Sequence, residues 1–235
     1  SLADFKKGNF TPEYAKSISD KLRENGIRVP ILGCYINPSD ANEESLNESL
    51  DYFIENLHYA KYIGAEMVGL ETCRFSDDDE INNSEETYQY LLKNMKKLVS
   101  AAEEIGVNVG IEGVHFHVIN TPTKMKRLVD DLNSPNVRVI FDPVNYINTA
   151  NYKNQDEIIN THFDLLGEKT KLLHLKDFKL FDGEVTYEFP CDGLLNKDLL
   201  WDKLKQYNPD IAVILEEVKE DHLAQVKAAV EKRFV

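Results

Sequence analysis

Apolar positions in this chain recur with two alternating periods. Thr11-Pro12-Glu13 has the form of a helix N-cap, a first-turn proline and a first-turn acid. The helix it opens is predicted to run to Asn25-Gly26, where glycine supplies the stop. A short apolar segment follows at residues 29–33. Leu46, Leu50, Phe53, Ile54, Leu57, Ala60 and Ile63 then keep helical spacing up to Gly64. The same strand-then-helix unit repeats down the chain. Residues 67–70, 107–111, 137–141, 171–175 and 211–215 read as short strands. Helical spacing between and after them is carried by Leu91 through Ile105, by Met125 and Leu128 behind Thr121-Pro122, by Ile158 through Leu166, by Trp201 with Leu204, and by Leu223 through Val230.

Strands this short and this uniformly apolar belong in a parallel sheet covered by helices, where both faces are buried. No Gly-x-Gly-x-x-Gly turn follows any of them, so the dinucleotide-binding open sheet lacks its phosphate signal. The pattern therefore predicts one α/β domain over residues 1–235, a parallel β/α barrel of the TIM type. Six strands are evident where a (β/α)8 barrel has eight, and the expectation is a barrel without its first two strands in this chain. The sheet edges this exposes are a route to pairing, so a homodimer or disorder near the N-terminus is expected.

Composition limits the partners. With 27 Lys+Arg against 41 Asp+Glu the formal charge is −14, which repels nucleic-acid backbones and anionic membrane surfaces alike. No run approaches the roughly 20 apolar residues of a spanning helix. Ser1 through Phe10 is polar and lacks the layout of a secretory signal. Cys34, Cys73 and Cys191 show no paired spacing, so they are read as small core residues of a cytoplasmic protein.

The chemistry lies at the strand ends. Five apolar runs finish as Leu70-Glu71, Ile111-Glu112, Phe141-Asp142, Leu173-His174 and Leu215-Glu216. In a parallel β/α barrel these ends share one face, where the active sites of such barrels are built. Carboxylates gathered at a partly buried rim repel one another and are costly to desolvate, and a divalent cation is the simplest compensation. Carboxylate oxygens with one imidazole nitrogen suit Mn²⁺, Mg²⁺, Co²⁺ or Zn²⁺ without deciding among them.

The segments Ile111-Glu112-Gly113, Phe141-Asp142-Pro143-Val144-Asn145, Leu173-His174-Leu175-Lys176-Asp177-Phe178 and Leu215-Glu216-Glu217 occur in this order. They resemble the sugar phosphate isomerase/epimerase family of the xylose isomerase-like barrel superfamily, over a stretch from about Thr11 to the C-terminus. The resemblance implies that Glu112, Asp142, His174 and Glu216 hold one divalent metal ion, and that Glu112 and Glu216 also exchange the substrate proton across an enediolate. His115, His117, Glu71, Asn145 and Lys176 are the expected contacts to substrate oxygens. Two departures bear on the substrate. Asn145 stands where the epimerases often have histidine, and residues 178–188 contain no arginine where the epimerases place one.

The expected function is thus a metal-dependent isomerase or epimerase of a small sugar, sugar phosphate or polyol. A catalytically inactive barrel acting as a binding module is the alternative of another class. A phosphodiesterase of the apurinic-endonuclease branch is a third, disfavoured because Val185-Thr186-Tyr187-Glu188 lacks the extra histidine that its zinc cluster requires.

Overall fold

The computed structural model of the chain describes residues 11–234, so the readings of Ser1 through Phe10 and of order at the N-terminus lie outside the described residues. Thr11 caps α1 (Pro12–Glu24) as expected, its Oγ1 accepting from the Tyr14 backbone N–H at 3.2 Å. There follow β1 (Leu32–Gly33), α2 (Glu43–Ile63), β2 (Met67–Glu71), the single-turn α3 (Asp79–Asn82), α4 (Glu85–Ile105), β3 (Asn108–Glu112), α5 (Pro122–Leu132) and β4 (Val137–Phe141). The remainder is α6 (Gln155–Leu166), β5 (Thr170–Leu175), β6 (Asp177–Phe181), β7 (Glu184–Glu188), α7 (Lys197–Tyr207), β8 (Ala212–Leu215) and α8 (Leu223–Phe234).

Six strands form one sheet in the order β1-β2-β3-β4-β5-β8, and β6 pairs with β7 in a separate two-stranded sheet. The pairings β1–β2, β4–β5 and β5–β8 are parallel. The six strand-helix units read from the sequence are therefore the six strands of the main sheet. Among the described residues this is two fewer than a closed (β/α)8 barrel has.

Two compact units divide the chain. The first runs to Ile111 and takes in Phe116–Val118 and Leu128–Arg138; the second holds Glu112–His115, Ile119–Arg127 and all residues from Val139. In the first unit, Ala15 and Ile18 of α1 pack on Ile63 of α2, with Leu22, Val29 and Leu32 around them. The second unit has a core of Phe141, Phe163, Leu173, Leu175, Phe178 and Trp201, closed by Leu204 and Val226. Its α6 shows how pattern becomes packing: Ile159, His162, Phe163 and Leu166 fall on one helical stripe, and all are buried. Trp201 is core, as the sequence indicates.

The β6–β7 hairpin is absent from the sequence reading. Asp182 and Gly183 form its two-residue turn at φ 49° and 85°, and the ladder closes with Phe181 opposite Glu184. Both turn residues at positive φ define the tight turn whose twist matches a hairpin, and Asp-Gly is its strongest sequence signal. That signal is present, but the residues around it do not alternate cleanly, since Leu180 and Phe181 are exposed neighbours.

Candidate active site

Strand register brings the acids and the histidine together. Phe141 pairs with Leu173, and His174 with Ile214. Asp142 therefore leaves β4 level with His174, and the ladder continues to Glu216, whose N–H donates to the Leu175 carbonyl at 2.9 Å. Successive strand side chains point to opposite faces. Leu173 and Leu175 enter the core, and His174 and Lys176 share the other face.

Asp142 works in two directions. Its Oδ1 accepts from the N–H groups of Val144 at 2.8 Å and Asn145 at 3.2 Å, capping the single helical turn Val144–Tyr146. Its Oδ2 lies 2.7 Å from Lys176 Nζ, which also reaches Glu216 Oε2 at 3.0 Å. The turn in turn aims Asn145, whose Nδ2 donates to Glu112 Oε1 at 2.7 Å, while its carbonyl accepts from the His115 N–H at 2.6 Å. Glu112 Oε2 stands 3.1 Å from His174 Nδ1, and Glu216 Oε1 stands 3.0 Å from the same nitrogen. Glu112, Asp142, Asn145, His174 and Lys176 are buried, and the Glu216 side chain keeps 29% of its surface exposed.

The charges answer one another. Burial opposes ionisation of Asp142 and, with Glu112 beside it, raises its pKa to about 7 against the pull of the Lys176 ammonium. Burial acts to lower His174, but the adjoining Glu112 and Glu216 carboxylates prevail and raise it to about 10. Lys176 is likewise raised by Asp142 and Glu216 against its burial. Glu216, opposed by burial, is held down to about 2 by His174 and Lys176. The compensation that the strand-end acids require thus comes from two side chains, one of them Lys176.

The donor set suits a divalent ion only in part. Among the described residues no group of three or more His, Cys, Asp or Glu side chains is gathered as a metal centre. Asp142 is the member that departs, because its Oδ2 is turned to Lys176. The corner formed by Glu112, His174 and Glu216 fits better. Adjacent ligands about 2.1 Å from an octahedral ion stand about 3.0 Å apart, and the two contacts at His174 Nδ1 have this spacing. That nitrogen is buried with no hydrogen bond of acceptable geometry. Raised to about 10, His174 holds its proton at neutral pH; an ion would have to displace that proton, after which the Nδ1 lone pair and the two carboxylates would be a donor set for a hard or borderline divalent cation.

Of the other expected contacts, Glu71 and His117 lie in the first unit, where Glu71 Oε2 is 3.7 Å from His117 Nε2. His117 is buried and stacks edge-on with Phe116. Three features escaped the sequence reading. Asp177 is fully buried and accepts from the N–H groups of Phe178, Gly193 and Leu195 as well as from Lys197 Nζ, fastening the segment after β7 to β6. Tyr146 packs its hydroxyl so closely on Gly113 that a Cβ there would collide with it and lie 2.9 Å from the Ile119 carbonyl; only glycine fits. Tyr187 of β7 lies with its ring centroid 4.9 Å from Lys176 Nζ. Asp177 and Gly113 flank the motif residues directly, a local signal that was available; the position of Tyr187 depends on the hairpin.

The profile of the xylose isomerase-like TIM barrel family matches residues 3–233. The chain belongs to this family. A search of curated protein sequences gives no match. Among solved structures, this xylose isomerase-like chain is similar to a D-tagatose 3-epimerase-like protein at TM-score 0.78 and 17% identity, covering 95% of this chain and 83% of that one. An IolI protein with a binding zinc atom gives TM-score 0.76 and 19% identity, over 95% of this chain and 84% of that one. The 3-keto-D-glucoside 4-epimerase of E. coli gives 0.71 and 16%, over 94% and 84%. At such identities the likeness shows the fold.

Proposed function

We propose that this xylose isomerase-like chain is an isomerase or epimerase of a small sugar or polyol, with Glu112 and Glu216 exchanging a carbon-bound proton. The observation that carries the reading is the bracket at His174, where one oxygen of each glutamate stands 3.0–3.1 Å from a single buried nitrogen. Two carboxylates opposed across so small a space can remove a proton from a carbon beside a carbonyl and return one to the planar enediolate that results. The solved structures of similar fold that are described as sugar epimerases support this substrate class.

Glu112, His174 and Glu216 would hold one divalent ion, Mn²⁺, Mg²⁺, Co²⁺ or Zn²⁺, joined by Asp142 only where its Oδ2 turns from Lys176, and the zinc in the IolI structure supports a metal of this kind. When bound, such an ion polarises carbonyl and hydroxyl oxygens and lowers the cost of negative charge on them. The chain's own residues supply the rest. Asn145 fixes the Glu112 carboxylate by donating to Oε1, so that Oε2, on the His174 side, is the oxygen that would carry the proton. Glu216, ionised at neutral pH and partly exposed, is the proton acceptor that solvent can reach. Lys176 balances the developing negative charge, and the core behind Leu173 and Leu175 keeps water from the inner side.

The phosphodiesterase alternative gains nothing from the structure, because residues 184–188 form β7 and offer no histidine. The test is incubation of the Mn²⁺-loaded protein with ketoses, inososes and their phosphates in D₂O, followed by NMR. Deuterium on a carbon adjacent to a carbonyl is the expected result. Uptake with none of them would overturn the reading.

A further inference from the structure

A cavity of about 410 Å³ opens between the turn of α3 and the start of α4, and no residue of the strand-end set lines it. Its walls are apolar. Phe75 and Tyr90 meet edge to face with ring centroids 5.3 Å apart, and Ile81 is 46% exposed. These walls are fixed by hydrogen bonds of the protein itself. Buried Asn82 accepts from the Phe75 N–H at 2.9 Å and donates to the Phe116 carbonyl at 3.2 Å, while the Thr87 hydroxyl donates to the Ile81 carbonyl at 2.8 Å. The Tyr90 hydroxyl donates to the Asp40 carbonyl at 2.8 Å, so what Tyr90 offers the cavity is its ring. A preformed hollow of a few hundred Å³ with aromatic and aliphatic walls and few polar groups is the usual form of a small-molecule site.

The edge of the cavity carries charge of one sign. Asp78, Glu80 and Glu86 line it, and no lysine, arginine or histidine does. Asp78 is already used, because its Oδ1 accepts from the N–H groups of Glu80 and Ile81 and caps α3. Glu80 and Glu86 form no ion pair or side-chain hydrogen bond among the described residues. Arg74, the cation adjoining Phe75 in the chain, is committed elsewhere. Its Nε donates to the Ser76 carbonyl at 3.2 Å, and its Nη2 to the Asp77 carbonyl at 3.1 Å and Asp79 Oδ1 at 3.2 Å. An aromatic face and an uncompensated carboxylate attract the same kind of group, an ammonium, the first through its quadrupole and the second through its charge. The apolar walls add a demand for carbon attached to it, and the chain's net charge of −14 turns anions away.

We propose that this cavity is a second ligand site, which binds an arylalkyl ammonium ion with its hydrocarbon against Phe75, Ile81 and Tyr90 and its ammonium at the Glu80 and Glu86 carboxylates. The walls set the size and apolar character of the ligand; the carboxylates set its sign. The site is independent of the carbohydrate reading of the strand ends and takes no part in proton transfer.

The experiment is an NMR titration of the isotope-labelled full chain at neutral pH with three probes that differ in one group: 2-phenylethylamine, 2-phenylethanol and 3-phenylpropionate. The amine is expected to shift the amides of residues 75–90 with a dissociation constant of about 1 mM or tighter, and to bind about tenfold or more tightly than the alcohol or the acid. Glu80→Gln with Glu86→Gln, both at exposed positions, weakens the amine by about three- to tenfold and leaves the alcohol unchanged. Glu168→Gln with Asp202→Asn removes the same charge from exposed positions outside the cavity and retains the parent affinity. Amine binding that does not saturate by about 10 mM, or shifts confined to residues outside 75–90, overturns the proposal. Alcohol bound as tightly as amine reduces the cavity to an apolar hollow, and equal weakening by the two double variants reduces the binding to general attraction by an acidic chain; either result overturns it as well.

Discussion

With Nζ 2.7 Å from Asp142 and 3.0 Å from Glu216, Lys176 supplies positive charge where the sequence points to a divalent ion. Removing one partner of a buried pair leaves the other charge uncompensated, which typically costs about 3–5 kcal/mol. Asp142 is fully buried, so Lys176→Met is expected to lower stability by about that amount in urea unfolding, and Lys176→Met with Asp142→Asn to recover more than half of it. A loss below about 1 kcal/mol in the single variant would show that the pair is not what neutralises Asp142. The acids and the histidine were legible from the sequence because each closes an apolar run. The pairing of Lys176 was not, because it depends on side-chain direction and on the irregular register between Val139 and Ile140 of β4.

Alternating periods make α1, α2, α4 and the strands of the main sheet legible, since each buries one stripe or two faces against a neighbour. The hairpin of β6 and β7 obeys a different rule. It projects Phe181 into solvent at 70% exposure, so burial does not print a period on its sequence, and only the Asp182-Gly183 turn announces it. Gly183 at φ 85° makes that turn sensitive. Gly183→Val places a β-branched side chain in the left-handed region at a cost of about 1–2 kcal/mol. The expected result is faster hydrogen exchange of the amides in residues 178–188 with little change in α6. Exchange unchanged in the hairpin would mean that its turn is not held by this geometry.

Across the whole molecule, the family match over residues 3–233 and the six strands agree with what the repeated strand-helix unit implies. One buried group gives the fold a pH signature away from the site. His162 stacks on Phe141 at 3.6 Å, and its Nε2 lies 2.9 Å from Thr170 Oγ1, whose own hydrogen goes to the Leu166 carbonyl at 3.0 Å. Nε2 therefore carries the proton and Nδ1 is bare; burial lowers the pKa from 6.5 to about 3. The unfolded chain binds this proton between about pH 6.5 and 3 and the folded chain does not, so the stability contribution is full above 6.5 and is lost as pH falls toward 3. His162→Gln is expected to remove on the order of 5 kcal/mol of that acid sensitivity in pH-dependent unfolding; an identical acid limb would refute it. The central claim is proton exchange by the two glutamates, and deuterium uptake into a ketose by Mn²⁺-loaded Glu112→Gln, with metal occupancy measured on the same sample, tests it most directly. The account predicts uptake reduced by about 10²–10⁴-fold at parent occupancy, and uptake at the parent rate in that fully loaded protein would contradict it.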